Sequence, residues 1–203
     1  PKGKDKEKRN YLVSTPVVYG NKVYVGVGAA PDTGYGERVG HFWCIDITKK
    51  GDVSPAKDNF DPKSPANKNS ALVWHHGGEI NPRPKSGRSV VFNQTISTAA
   101  IHDGLVYIPE ETGYLNCLDA KTGTKYWEYD LKAVVWGSPY WVDGKVYLGD
   151  DNGDVHIFAH GKQMNLIRTI SIDEAIQCGP VAANGVLYIR TRGSKLFAIG
   201  GAK

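Results

Sequence analysis

The sequence predicts an all-β fold, and more specifically a β-propeller made of four-stranded antiparallel blades. A segment consisting of small residues, an apolar strand, an Asp-Gly or Asn-Gly turn and a second apolar strand recurs along the 203 residues. Its tyrosines Tyr107, Tyr147 and Tyr188 lie about 40 residues apart, which is the spacing of propeller blades built from short strands. The composition agrees, because 24 glycines suit turns and 11 tyrosines suit sheets.

Four repeats follow one another, and each is expected to form one blade with strands A to D. In the second repeat, four short apolar segments alternate with turns that contain glycine. The first repeat is stretched by insertions, and the fourth has strands A to C but no strand D. The expected boundaries of the repeats are 11–77, 95–130, 135–172 and 176–200.

The missing strand D of the fourth repeat predicts an incomplete ring. A propeller closes by completing one blade from both chain ends, which removes exposed sheet edges. Residues 1–10 are rich in lysine and are expected to form a basic flexible tail instead. We therefore expect residues 11–203 to be the C-terminal part of a seven- or eight-bladed propeller, or one of two copies that complete a ring together.

Charge, hydropathy and cysteine content exclude several classes of protein. The net charge of +4 is mild, and the basic tail is not interleaved with aromatic residues, so nucleic-acid binding is not expected. No apolar run approaches the ~20 residues of a membrane span. Cys44 and Cys117 occupy the same position of successive repeats, too far apart for a disulfide, and we expect them and Cys178 to be buried free thiols.

A turn motif in the second repeat resembles the tryptophan-docking motif of quinoprotein propellers. Residues 117–127 match the pattern Ala-x-Asp-x-x-Thr-Gly-x-x-x-Trp at every fixed position except the first. Asp119 and Thr122 are expected to cap the turn through hydrogen bonds to the backbone. Gly123 is expected to adopt a left-handed conformation, and Trp127 to pack between blades.

With this motif, residues 11–200 resemble the pyrroloquinoline-quinone-like (PQQ-like) repeat proteins. The resemblance implies a fold and not one chemistry, because that superfamily includes quinone-dependent alcohol and sugar dehydrogenases as well as outer-membrane assembly scaffolds of the BamB type, which bind no cofactor. It also implies a periplasmic or secreted location.

Candidate ligand-binding residues lie in loops at one end of the predicted blades. The B–C hairpins and the D-to-A connections of a propeller share one face, so the insertions 28–40 and 78–94 are expected close together there. The resemblance implies that a quinone sits at this face in the cofactor-binding relatives. The candidates are Tyr35, Arg38, His41, Arg83, Arg88, Asn93, Trp136, Asp150 and Arg190.

Some of these residues are of the types that PQQ with Ca²⁺ would need. The cofactor requires arginines for its carboxylates, an aromatic floor, oxygen ligands for the metal and a carboxylate base. No motif assigns those roles here, and the adjacent cysteine pair found in many quinone alcohol dehydrogenases is absent from the sequence.

No metal site is predicted from the sequence. Residues 150–154 resemble a calcium loop, but Val155 stands where the loop pattern needs glycine. His75 and His76 have no third ligand at metal-binding spacing.

Two functional classes therefore stay open. The leading expectation is a non-catalytic binding or scaffold module without a cofactor, which holds a protein or a small molecule on the loop-rich face. The alternative is the C-terminal half of a PQQ-dependent alcohol or sugar dehydrogenase, a quinoprotein oxidoreductase.

Overall fold

The computed structural model of the chain describes residues 12–27, 38–57 and 59–200. Their regular structure consists of sixteen β-strands and one single-turn 3-10 helix. Across these residues, no helix is long and apolar enough to cross a membrane. The chain divides into two compact units, the first ending at Ile96 and the second beginning at Ser97.

The first unit contains one antiparallel sheet of five strands that lie side by side in chain order. In β2 and β3 more buried and less buried residues alternate, as a sheet with one core-facing side requires. The strands are β1 (Val17–Tyr19), β2 (Lys22–Val27), β3 (His41–Asp46), β4 (Leu72–Glu79) and β5 (Val90–Phe92).

One face of this sheet carries the core of the first unit. Tyr24, Phe42, Cys44 and Trp74 point into it and are buried. The ring centroid of Trp74 lies 5.8 Å from that of Tyr24 and 5.9 Å from that of Phe42. Burial raises the pKa of the Cys44 thiol to about 11, so this cysteine is an unreactive core residue.

The segment after β4 differs from the expectation drawn from the sequence. The sequence predicts an inserted loop at 78–94, whereas the structure forms β5 within it and pairs Gly78 with Phe92. The segment is therefore a hairpin that extends the sheet. Its second strand has three residues, too few to show a strand period in the sequence.

The insertion between β3 and β4 is folded around one buried asparagine. Asn67 is the last residue of the 3-10 helix, Pro65–Asn67. Its side-chain nitrogen donates to the carbonyl oxygens of Asn59 and Asp61 at 2.9 and 2.8 Å, and its Oδ1 accepts from the backbone N–H of Ala56 at 2.6 Å. A buried amide satisfied in this way fixes the course of the insertion.

The second unit contains three antiparallel sheets, each with its strands in chain order. The first two have four strands and the third has three among the described residues, so the expectation of an all-β chain of antiparallel sheets is confirmed. The strands are β6 (Ala100–His102), β7 (Leu105–Pro109), β8 (Tyr114–Asp119), β9 (Lys125–Asp130), β10 (Tyr140–Val142), β11 (Lys145–Gly149), β12 (Asp154–Ala159), β13 (Leu166–Ser171), β14 (Val181–Ala183), β15 (Val186–Arg190) and β16 (Leu196–Gly200).

Two-residue turns join the first two strands of each of these sheets. Asp103 and Gly104 between β6 and β7 have φ angles of 43° and 74°. Positive φ at both central residues matches the twist of a tight hairpin and is tolerated best by Asp, Asn and Gly. The repeated Asp-Gly and Asn-Gly pairs of the sequence therefore encode these hairpins directly.

Hydrophobic cores join the neighbouring sheets of the second unit. The larger one contains Trp127 and Tyr107 of the first sheet together with Val146 and Phe158 of the next. The smaller one joins the second and third sheets through residues such as Ile189. Sheets stacked face to face through apolar side chains are the arrangement of propeller blades.

The cysteines follow the expectation in two of three cases. Cys44 and Cys117 are buried free thiols, and burial raises the pKa of Cys117 to about 12. The expectation is wrong for Cys178, which is only half-buried and whose thiol donates to the carbonyl oxygen of Arg190 at 3.2 Å. The reason is that Cys178 lies in a connecting segment before β14 and not within a sheet.

Candidate functional site

A basic hairpin projects from the loop-bearing end of the first unit. Residues 80–89, which we call the basic hairpin, connect β4 to β5 and are closed by a hydrogen bond from the backbone N–H of Ile80 to the carbonyl oxygen of Ser89 at 2.8 Å. The hairpin carries Arg83, Lys85 and Arg88 and no acidic residue. Residues 81–87 are exposed, and Arg88 is half-buried.

The base of the basic hairpin is held by close backbone contacts. The backbone N–H of Gly40 donates to the carbonyl oxygen of Phe92 at 2.9 Å, and the N–H of Gly78 donates to the carbonyl oxygen of Gly40 at 3.1 Å. A Cβ at Gly40 would lie 2.1 Å from the carbonyl oxygen of Asn93. Only glycine permits two backbone segments to approach so closely here, so the base of the hairpin is anchored at a fixed place.

Two candidates beside this base are turned into the protein. Asn93 is 2% exposed, and its Oδ1 accepts from the backbone N–H groups of Arg38, at 2.9 Å, and Gln94, at 2.7 Å. Its role is to fix the backbone on both sides of the hairpin. Arg38 is half-buried. Tyr35 lies outside the described residues.

His41 belongs to a histidine–aromatic cluster on the sheet and not to a loop. Its Nδ1 lies 2.8 Å from Nε2 of His75, which comes from the neighbouring strand β4. The rings of Trp43 and Phe60 lie 4.4 and 4.9 Å from that of His75, between centroids. The sequence does not reveal this pair, because the two histidines lie 34 positions apart in the chain.

Both histidines of this cluster are held neutral. Burial lowers the pKa of His41. Burial, with smaller contributions from His41 and His76, lowers the pKa of His75 to about 4. At neutral pH one imidazole therefore donates its N–H to the other, and the pair packs against Phe60 of the insertion between β3 and β4. These contacts fasten the insertion to the sheet.

In the second unit, Asp150 is fully buried and holds the hairpin between β11 and β12. One oxygen of its carboxylate accepts from the backbone N–H groups of Asn152 and Asp154, each at 3.0 Å. The other accepts from Nε2 of His156 at 2.9 Å, and Nδ1 of His156 accepts from the hydroxyl of Thr169 at 3.2 Å. Both oxygens of this carboxylate thus accept hydrogen bonds from within the repeat.

Hydrogen bonds link Thr169, His156 and Asp150 in the order of a nucleophile, a base and an acid. The context of this group nevertheless indicates a structural role. The preceding sheet has Glu110 and Asn116 at the same six-residue spacing, with Nδ2 of Asn116 donating to the Glu110 carboxylate at 2.8 Å. An asparagine cannot relay a proton. What the two repeats share is therefore the fastening of a hairpin to the neighbouring strand.

The same carboxylate takes part in a group that has metal-ligand spacing. Ligand atoms of Asp150, Asp154 and His156 lie within 4.8 Å of one another, and no other such group of three or more was found in the described parts of the chain. The internal hydrogen bonds of Asp150 account for this proximity without an ion.

The remaining candidates of the second unit lie nearer the surface. Trp136 is half-buried in the connection from β9 to β10. Arg190 is exposed at the end of β15 and, with Arg192, lines a shallow depression of about 260 Å³ next to Cys178. This depression offers two guanidinium groups at the same kind of loop end that carries the basic hairpin in the first unit.

The docking motif forms a closed turn between β8 and β9. Asp119 Oδ1 accepts from the backbone N–H of Thr122 at 2.8 Å, and its Oδ2 accepts from the hydroxyl of Tyr126 at 2.7 Å. Gly123 has a φ of 73°. Nε1 of Trp127 donates to the carbonyl oxygen of Gly161 in the next sheet at 3.1 Å. The motif thus works as a fastener within and between sheets.

The candidate residues do not fit a site for PQQ with Ca²⁺. A catalytic base must reach the hydroxyl of a substrate, and Asp150 is 0% exposed with its oxygens bonded internally. Asn93 likewise directs its side-chain oxygen to the backbone.

Comparisons with known proteins support the type of repeat. Residues 64–163 match the family model described as outer membrane protein assembly factor BamB. The assembly factor BamB of Nitrosomonas eutropha is 28% identical over 97 residues, which are 48% of this chain and 23% of that protein. A 1-butanol dehydrogenase (cytochrome c) of Thauera butanivorans is 28% identical over 88 residues, which are 40% of this chain and 12% of that protein.

A solved structure supports the fold. The crystal structure of BamB from Moraxella catarrhalis matches with a TM-score of 0.61 and 16% identity, over 92% of this chain and 42% of that one. The resemblance to PQQ-like propeller repeat proteins is confirmed, and so is the all-β propeller fold with about four blades. The matched segments span less than a quarter of the two curated relatives, which differ in function at equal identity.

Proposed function

We propose that this chain is part of a non-catalytic propeller module that binds an acidic surface of a protein partner through the basic hairpin. The observation that carries the proposal is the presentation of Arg83, Lys85 and Arg88 on a hairpin whose own residues, 80–89, include no acidic side chain. Loops of this kind on a rigid sheet scaffold are where binding residues concentrate. Arg190 and Arg192 at a loop end of the second unit add cationic groups of the same character.

The distribution of acidic side chains favours the same partner chemistry. Glu110, Glu111 and Asp150 begin the B–C hairpins of the second unit and are all buried. They serve these hairpins from inside the second unit. Clustered cations of this kind steer an acidic partner into contact and select against basic ones.

The relatives support a role in binding proteins more than a role in catalysis. One of them is named an outer membrane protein assembly factor, which is a role exercised on other proteins. The other relative is named a dehydrogenase, but the candidate carboxylate of this chain, Asp150, is engaged in internal hydrogen bonds. We propose the periplasm or the cell exterior as the location, and we propose that further blades, on the same chain or on a second copy, complete the ring.

Site-specific photo-crosslinking tests the binding proposal. A photo-crosslinking amino acid is placed at Ser86 in the exposed part of the basic hairpin, and at Lys121 in the turn between β8 and β9 as a control, in the full-length protein within its own cells. We expect a discrete adduct from position 86 whose partner has an acidic surface. The adduct should disappear when Arg83, Lys85 and Arg88 are all changed to Glu. Equal adducts from both positions, or an adduct that survives the charge reversal, would contradict the proposal.

Reconstitution separates the proposal from the dehydrogenase alternative. The full-length protein is incubated with PQQ and Ca²⁺, and quinone absorbance and dye-linked alcohol oxidation are measured. We expect neither signal. Stoichiometric quinone retention together with alcohol oxidation would establish the enzyme and remove the non-catalytic assignment, whatever the outcome of the crosslinking.

A further inference from the structure

The docking tryptophan of the repeat is replaced at one position of this chain. Trp74 in β4 and Trp127 in β9 occupy equivalent places, each opposite a cysteine of the preceding strand. The equivalent residue of β13 is Arg168, opposite Ile157. Arg168 is exposed, so the third repeat lacks the buried indole that the first two repeats contain.

The closed slot in the second unit shows what this position holds when it is filled. Trp127 is 8% exposed, and its ring lies 5.9 Å from that of Tyr107 in its own sheet and 5.8 Å from that of Phe158 in the next, between centroids. Its Nε1 donates to the carbonyl oxygen of Gly161. The indole is thus clamped between two sheets.

The corresponding slot between the last two sheets is a cavity of about 460 Å³. We call it the open slot. Tyr147 and Ile199 line it, and the strand pairings make them the counterparts of Tyr107 and Phe158. A cavity of this volume is in the range of sites that take ring-containing ligands.

The open slot differs from the closed slot because the aromatic side chains of the closed slot are replaced. Three aromatic residues of the closed slot have non-aromatic counterparts, and one consequence is that Ile199 is 38% exposed where Phe158 is 0% exposed. The replaced residues are Trp127, Tyr129 and Phe158, whose counterparts are Arg168, Ile170 and Ile199.

We propose that the open slot binds a tryptophan side chain of a protein partner, with a cationic residue next to it. The walls of the slot correspond to those that clamp an indole in the preceding repeat. Asp143 lines the slot and is exposed, so it offers a carboxylate to a lysine or arginine of the partner. Arg168 is exposed at the strand position that Trp127 has in the preceding repeat, so its guanidinium can stack on an indole bound in the slot.

This site is separate from the one proposed for function. It consists of residues of the second unit, whereas the basic hairpin belongs to the first. It also selects a different feature of a partner, an indole with a cation and not an acidic surface. Failure of one proposal therefore leaves the other to be judged by its own experiment.

Titration with short peptides tests the open slot. The probe is the blocked tripeptide acetyl-Lys-Trp-Lys-amide, the control is acetyl-Lys-Ala-Lys-amide, and the 203-residue chain is labelled on its isoleucine and leucine methyl groups. We expect saturable shifts of the Ile157, Leu187 and Ile199 methyl signals with the tryptophan peptide alone. One buried indole predicts a dissociation constant of about 0.1–1 mM.

Two variants of neighbouring residues make the test specific. Arg168→Trp refills the slot from within and should weaken the peptide at least about tenfold, because the indole of the protein then occupies the site. Ile167→Trp is the matched control, since Ile167 is the extra residue of the β-bulge in β13, is exposed and does not line the open slot, and it should keep the affinity within about twofold. Ile199→Glu changes a partly exposed wall position and should abolish binding. It provides the test if Arg168→Trp does not fold.

Three results would overturn the proposal. The first is the absence of methyl shifts with the tryptophan peptide at millimolar concentration. The second is equal binding by Arg168→Trp and Ile167→Trp when both are folded. The third is binding of free indole as tight as that of the peptide, which would identify a small-molecule site in place of a docking site for a protein side chain.

Discussion

Replacing Trp127 by alanine should remove a large part of the stability of the second unit. The indole is 8% exposed and packs between two sheets against Tyr107 and Phe158. Truncation of a buried tryptophan leaves a large cavity and costs about 3–5 kcal/mol. Because domains of this size are stabilised by about 5–15 kcal/mol in total, this loss should shift the midpoint of urea unfolding clearly to lower concentration.

Two further variants separate the contributions of the Trp127 side chain. Trp127→Phe keeps an aromatic ring but loses the hydrogen bond from Nε1 to the carbonyl oxygen of Gly161 at 3.1 Å, and it should cost about 1–2 kcal/mol. Arg168→Ala changes the equivalent but exposed residue of the next repeat, and it should cost less than about 0.5 kcal/mol.

Urea unfolding followed by far-ultraviolet circular dichroism measures these differences. The free energy of unfolding is extrapolated linearly to water for the unmodified chain and the three variants. A loss of less than about 1.5 kcal/mol for Trp127→Ala, or a loss equal to that of Arg168→Ala, would refute the view that this position clamps neighbouring sheets.

Three more predictions concern the anchors of the loops and the histidine pair. Gly40→Ala should cost about 1–3 kcal/mol, since the added carbon would meet the carbonyl oxygen of Asn93 at 2.1 Å; trypsin digestion should then cut the basic hairpin faster, and an unchanged digestion rate would contradict the anchoring role. Asp150→Ala should cost about 3–5 kcal/mol in urea unfolding because it leaves His156 and two backbone N–H groups without their acceptor, whereas a loss below 1 kcal/mol would show that water replaces the carboxylate. For His75, the imidazole of the unfolded chain takes up a proton near pH 6.5, whereas that of the folded chain stays neutral to about pH 4, so the free energy of unfolding falls across this range as the pH is lowered. The loss should be about 1–2 kcal/mol after allowance for partial exposure. His75→Phe should reduce this loss.

Local features of the fold could be predicted from the sequence because they depend on neighbouring residues. Asp103 and Gly104 form a tight turn whose backbone angles only a few residue types tolerate. The spacing of Tyr107 and Tyr147 follows from one blade succeeding another, so a period in the sequence becomes a period in space. These elements needed no knowledge of distant contacts.

The candidate site could be predicted only in part, because exposure depends on contacts across the sheet. Arg83 and Arg88 lie on an external loop, as polar residues between glycines and prolines indicate. Asn93 and Asp150 have the same polar character, yet the backbone groups opposite them turn both inward. Sequence patterns identify a polar residue in a turn but do not show whether its partner is water or the backbone.

The histidine pair shows a second limit of the sequence. In the sequence His75 stands beside His76, although adjacent residues of a strand point to opposite faces. Its actual partner, His41, comes from the preceding strand at a register that the long insertion between them conceals. Cross-strand pairs of this kind can be found only after the register is known.

In a repeat protein, departures from the repeat carry the information that the repeat itself lacks. A residue that recurs in successive copies, such as the buried docking tryptophan of the first two repeats, is explained by the packing of the repeats. Arg168 is not explained in that way, because it leaves a cavity where its counterparts Trp74 and Trp127 are buried. An open slot leaves apolar side chains such as Ile199, which is 38% exposed, in contact with water, and this costs stability unless a partner covers them. The same alignment of repeats that predicts the fold therefore also marks the position at which a partner should be sought.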